Sequence, residues 1–136
     1  MKFETINYSN LNAKQKEAYN FQKLSGILAD YGFITIRLSD DWQSADFIAQ
    51  HIDGTQFFKV QLKGRLYFSK IYENKEIYIA FPDNGSWYLY PHDEVLSLIL
   101  KKKNVGSTQS WIENGIYHFP KMSSDIQELM AEYRLE

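Results

Sequence analysis

Three residues on two neighbouring segments could do chemistry together: Asp46, Gln61 and Lys63. A carboxylate and an amide carbonyl are hard oxygen donors of the kind Mg²⁺ takes. An ammonium beside such a cation could orient or help deprotonate a water, or stabilise charge developing on a phosphate. Whether the three meet depends on strand register. Asp53-Gly54 separates two strand-like runs, Ala45 to Ile52 and Thr55 to Lys63, and this dipeptide suits a two-residue hairpin turn. A turn there sets Ile52 opposite Thr55 and carries Asp46 opposite Gln61, with Cβ atoms roughly 4.5–5.5 Å apart on one face. Lys63, two residues beyond Gln61, points to that face as well. Phe47, Ala49, Phe58, Val60 and Leu62 take the other face as a core set.

A helix should precede these strands. Asn12 and Gln15 have the spacing of a capping box, and a helical period runs from Ala13 to Tyr31 before Gly32. Phe21, Leu24, Leu28 and Tyr31 form its apolar stripe. Glu17 precedes them by four, seven, eleven and fourteen residues, which sets it on that stripe. A carboxylate buried there needs a partner, and a metal or Lys63 would supply one.

The remaining chain supplies a scaffold. Phe33 to Leu38 alternates as a strand, with Ile34, Ile36 and Leu38 on one face. Gly64 to Asn74 reads as a longer connection. Glu76 to Phe81 and Trp87 to Tyr90 form a second hairpin about Asp83-Asn84-Gly85. A helix from His92 to Lys103 follows, with acidic residues first and lysines last, as the dipole favours. A short strand is expected around Ile116 and a final helix from Ser124 to Tyr133.

These segments resemble the PD-(D/E)xK nuclease superfamily. The likeness rests on Glu17 in the first helix, Ser44-Ala45-Asp46-Phe47-Ile48-Ala49 and Val60-Gln61-Leu62-Lys63, and covers roughly Ala13 to Lys63. It is closer to Holliday-junction resolvases and to group I intron homing endonucleases, where a Gln can stand before x-Lys. The resemblance implies an α/β fold: a restriction-endonuclease-like core with a central mixed sheet flanked by helices. Its core order is a helix, a three-stranded antiparallel run, a helix and a further strand. It also implies metal-dependent hydrolysis of phosphodiester bonds in DNA, leaving a 5′-phosphate. Asp46 and Gln61 would hold Mg²⁺ (or Mn²⁺), with Glu17 as a helix-borne acidic partner and Lys63 as the catalytic lysine. Ser44 would match a polar residue of resolvase-like members. Ala45 stands where the family's Pro would be, and Gln61 where an acidic residue is usual, so one negative charge is missing.

Arg65, Lys70 and Lys75 follow Lys63 closely and are candidate phosphate contacts. Tyr67, Phe68, Tyr72 and Trp42 could stack on unpaired bases or simply pack. His51, His92 and His118 have no ligand spacing, and His51 reads as a core ring. Asp40-Asp41 suits a turn, and Lys101-Lys102-Lys103 a solvated helix end.

Composition sets the outer limits. The 136 residues suit a single domain, 1–136, and carry a formal charge of −2, which excludes a general polyanion coat but not a local basic strip. With no cysteine there is neither a disulfide framework nor a thiolate site. No signal-like or membrane-spanning apolar run is visible, so a cytoplasmic protein is expected. Cutting both strands of a duplex needs two sites, and a homodimer would provide them. The rival expectation is a catalytically inactive nuclease-fold module that binds nucleic acid or a protein partner, favoured by Gln61 and the acidic balance.

Overall fold

The computed structural model describes residues 1–39, 45–102 and 104–136. Helix α1 spans Ala13–Asp30, opened by the expected capping box: the Asn12 side chain accepts from the Gln15 N–H, and the Gln15 side chain accepts from the Asn12 N–H. Strands β1 (Phe33–Arg37), β2 (Phe47–His51) and β3 (Phe57–Leu62) follow, then β4 (Leu66–Ser69), β5 (Ile77–Asp83) and β6 (Ser86–Pro91). Helix α2 covers His92–Lys102. After it come β7 (Ile116–Phe119), α3 (Ser124–Met130) and a short β8 (Arg134–Leu135).

Six strands form one mixed sheet in the order β1-β2-β3-β5-β6-β8, while β4 and β7 make a separate two-stranded ribbon. β3 and β5 are parallel; the other neighbours in the main sheet are antiparallel. A parallel pair needs a crossover. Here residues 63–76 provide it through β4 and a 3-10 turn at Lys70–Tyr72. The helix that the family core order implies at this point is therefore absent.

Strand alternation sends side chains to two separate cores. From β5, Tyr78 and Ala80 go to one side and Ile77, Ile79 and Phe81 to the other. The first core joins Leu24 and Leu28 of α1 to Phe47, Ala49, Val60 and Trp87. The second lies under α2, α3 and the ribbon, and holds Phe68, Tyr90, Ile99, Ile126 and Met130. β1 lies at the sheet edge and alternates as expected, but its isoleucine face is the open one. Ile34 is 61% and Ile36 50% exposed, because α1 covers the other side and the second layer stops short of β1. Among the described residues, no helix is long and apolar enough to cross a membrane.

Candidate functional site

The hairpin register is the one the sequence implies, although the turn differs. Phe47 pairs with Val60 and Ala49 with Phe58. The two-residue bend about Asp53-Gly54 is instead a wider loop. The His51 N–H reaches the Gln56 carbonyl at 2.8 Å, and the Gly54 N–H returns to the His51 carbonyl at 3.0 Å. Asp53 caps the loop by accepting from the Thr55 N–H at 2.8 Å, a bond that holds its carboxyl below the usual carboxylate range. A longer loop centred on the same two residues leaves every pairing in place. Only the local hydrogen bonds change.

Beyond Phe47 the ladder bends. The Asp46 N–H donates to the Val60 carbonyl at 2.8 Å, so Val60 faces two successive residues, as in a β-bulge. The Asp46 carboxylate then accepts from the Leu62 N–H, also at 2.8 Å. Asp46 is thus bonded to both neighbours of Gln61, and the carbonyl of Asp46 accepts from the Leu38 N–H at 3.0 Å. The strand pairs run only to Phe47 and Val60, so Asp46 is set beside Gln61 by the bulge and its carboxylate bond rather than by simple ladder pairing.

Gln61 points to the second core, away from Val60 and Leu62. It is buried at 9% exposure, and its Oε1 has no hydrogen-bond partner among the described residues. Lys63 continues on the same side. Its backbone N–H donates to the Ala80 carbonyl at 2.9 Å, and its Nζ lies 4.2 Å from the Tyr67 ring centre and 5.6 Å from that of Tyr72. Aromatic faces attract an ammonium without neutralising it.

Other predicted residues are placed differently. Glu17 is not on a buried stripe: its side chain is 53% exposed and pairs with Arg37 at 3.3 Å. Only Leu24 and Leu28 of α1 are fully buried; its first turn is largely exposed, and Arg37 lies over the Phe21 ring further along. Arg65 is exposed and, with Lys63, Gly64, Tyr67 and His118, lines a hollow of about 470 Å³. Lys70 runs across Gly115, and its Nζ lies 5.3 Å from the Trp111 ring. Lys75 borders Lys59, Asn74 and Glu76 instead. The crossover returns the chain to the start of β3, so this lysine lies about 13 Å or more from the level of Lys63 at ~3.3 Å per strand residue. Nearness in sequence to Lys63 did not place these cations in one strip. Ser44, Asp40, Asp41, Trp42 and Lys103 lie outside the described residues.

The histidines are structural in two cases. His51 is half-buried against Phe33, ring centres 5.1 Å apart, with Nδ1 3.1 Å from the Asp53 N–H. His92 is fully buried: Nε2 accepts from the Ser69 N–H at 3.1 Å, and Nδ1 lies 2.9 Å from Asp93 Oδ1. Burial pushes its pKa down, against the pull of Asp93. His118 is exposed and lies parallel to Tyr67.

Sequence reasoning missed the device that fixes Tyr67. The Tyr90 hydroxyl accepts from the Tyr67 N–H at 3.1 Å and donates to the Tyr67 carbonyl at 2.6 Å, tying the ribbon to β6. A Tyr in a core strand must place its hydroxyl somewhere, but sequence gives no sign of where.

The donor set fits a hard divalent cation in part. Mg²⁺ keeps several waters and needs only one or two protein carboxylates beside a phosphate, and Asp46 with Gln61 Oε1, which has no hydrogen-bond partner among the described residues, offers two oxygens. Among the described residues no three His, Cys, Asp or Glu side chains cluster in a way that could hold a metal. Any cation here would therefore rely on the amide and on water.

No protein-family model matches the chain, and no curated protein matches it. It is similar to a solved structure of Hjc, a Holliday junction resolvase from the archaeal hyperthermophile Archaeoglobus fulgidus, at 19% identity, over 57% of this chain and 74% of that one, with a TM-score of 0.46. The chain is an α/β protein whose six-stranded mixed sheet is flanked by helices.

Proposed function

We propose that this protein is a metal-dependent nuclease that hydrolyses phosphodiester bonds in DNA, with its site on Asp46, Gln61 and Lys63. The observation that carries the reading is Gln61 Oε1, buried without a hydrogen-bond partner among the described residues and next to the residues that Asp46 bonds. An unsatisfied buried acceptor costs about 1–3 kcal/mol, and a cation would satisfy it. Asp46 would supply the charged ligand, its carboxylate oriented by the Leu62 N–H. A divalent cation held there would polarise the scissile phosphate and activate water for in-line attack. Lys63 would stabilise the charge that develops on the phosphorus oxygens. Arg65 would contact a neighbouring phosphate. Glu17 would join through water, and only by leaving Arg37. Mg²⁺ is the proposed ion, with Mn²⁺ as a substitute, and two copies would serve the two strands of a duplex.

A second reading has its own support. With no cluster of three ligating side chains among the described residues and Glu17 held by Arg37, the same fold could bind nucleic acid or a protein without cutting. Titration with millimolar Mg²⁺ or Mn²⁺, followed by amide NMR, separates the two. The enzyme reading expects shifts at Asp46, Gln61 and Leu62, together with cleavage of linear, branched or single-stranded DNA that falls about 10²–10³-fold in Lys63→Ala. Unmoved amides, or equal cleavage by both proteins, would remove it.

A further inference from the structure

We propose that Tyr67 and His118 form a stacking subsite for an unpaired nucleobase, with Arg65 beside them for the adjoining phosphate. This rests on the nucleic-acid reading above and narrows its substrate to strands with a base out of the duplex stack.

The subsite is built from two segments far apart in sequence. β4 and β7 pair so that Tyr67 stands directly opposite His118. Alternation sends the adjacent Phe68 into the second core, where it is fully buried, and leaves Tyr67 half-buried at its margin, with Lys63 Nζ 4.2 Å from its ring centre. The Tyr67 and His118 rings are parallel to within 7°, with centres 6.4 Å apart. Tyr67 cannot drift, because its own N–H and carbonyl are both held by the Tyr90 hydroxyl. His118 is exposed, and neither it nor Arg65 makes a side-chain hydrogen bond or ion pair among the described residues. Both groups are open to a ligand.

The chemistry selects the ligand. The exposed His118 ring, set parallel to Tyr67, offers a π-face to any flat ring, and a base gains about 1–3 kcal/mol by stacking on one. A base inside a duplex has both faces covered, so only an unpaired or extruded base can use the platform. The hollow shared by Lys63, Gly64, Arg65, Tyr67 and His118 is shallow and open to solvent, about 470 Å³. Two cations lie at its edge. Lys63 belongs to this hollow and to the proposed catalytic group, so a base lodged here would leave its own phosphate near Lys63. Tyr72 and Phe68, which could also have stacked, are buried.

The test uses single-stranded DNA carrying one 2-aminopurine, titrated with the full chain in EDTA so that metal-dependent cleavage cannot interfere. Stacking expects quenched fluorescence and single-strand binding that weakens about 5- to 100-fold in His118→Ala. His118→Tyr should retain both. Arg65→Ala should weaken binding and lower its salt dependence while leaving the quench at saturation. Unchanged affinity and quench in His118→Ala would overturn the subsite, as would tighter binding of fully paired duplex. A protein that cleaves DNA with Mg²⁺ but never quenches the probe loses the subsite and keeps the nuclease reading. Quenching without cleavage under Mg²⁺ or Mn²⁺ does the reverse.

Discussion

Replacing Gln61 with Leu tests the metal reading through stability rather than turnover. The side chain is buried, and its Oε1 has no partner among the described residues. Leu is similar in size, and Gln61 already borders β5 at Ile79, a fully buried residue. In the metal-free protein, Gln61→Leu should therefore remove a desolvation penalty of about 1–3 kcal/mol. For a chain of this size that raises Tm by about 3–10 °C. That advantage should be offset or reversed when a cation binds. Wild type should gain about 2.7 kcal/mol at a Mg²⁺ concentration a hundred times its Kd, whereas Gln61→Leu should gain much less. Urea melts in EDTA and in a Mg²⁺ series measure both arms. A variant that is destabilised in EDTA would show that Gln61 is satisfied in solution. Equal stabilisation of both proteins by Mg²⁺ would place the cation elsewhere. Either result refutes the reasoning.

Further outcomes follow from the same contacts. Tyr90→Phe leaves the Tyr67 N–H and carbonyl without their partner, and should cost about 2–4 kcal/mol in urea unfolding. Asn12→Ala breaks the capping box and should cost about 1 kcal/mol by the same measurement. His92 has a folded-state pKa pushed below its ordinary 6.5 by burial, so the unfolded chain takes up the proton first. Its contribution is complete above about pH 6.5 and is lost as pH falls through that value towards the folded pKa, with a limiting slope of about 1.4 kcal/mol per pH unit. A stability profile from pH 7.5 to 5 should show that slope, and His92→Gln should flatten it.

Glu17 and Lys75 show how local reasoning can misplace a residue. Helical spacing puts Glu17 in line with Phe21 and Leu24, yet a stripe is buried only where something covers it. The first turn of α1 is largely exposed, and Arg37 from the edge strand meets the carboxylate in solvent. Lys75 follows Lys63 by only twelve residues. Because β5 runs parallel to β3, that interval is spent returning to the other end of the sheet. An antiparallel return would have kept the two lysines together.

Much of the scaffold is written in short-range chemistry. The capping box starts α1, period-two apolar runs mark β1, β2, β3, β5 and β6, and acidic and basic ends bracket α2. The hairpin register follows from where Asp53-Gly54 sits, since any symmetric loop about that point gives the same pairs. These features depend on neighbours a few residues away, and a linear sequence records them. The β4–β7 ribbon, the bulge at Asp46, the Tyr90 clamp and the pairing of Tyr67 with His118 join residues 14 to 53 positions apart. Which face of β1 stays open belongs with them. Such contacts are chosen by the packing of whole layers against one another, a property of the assembled surfaces that spacing along the chain does not encode.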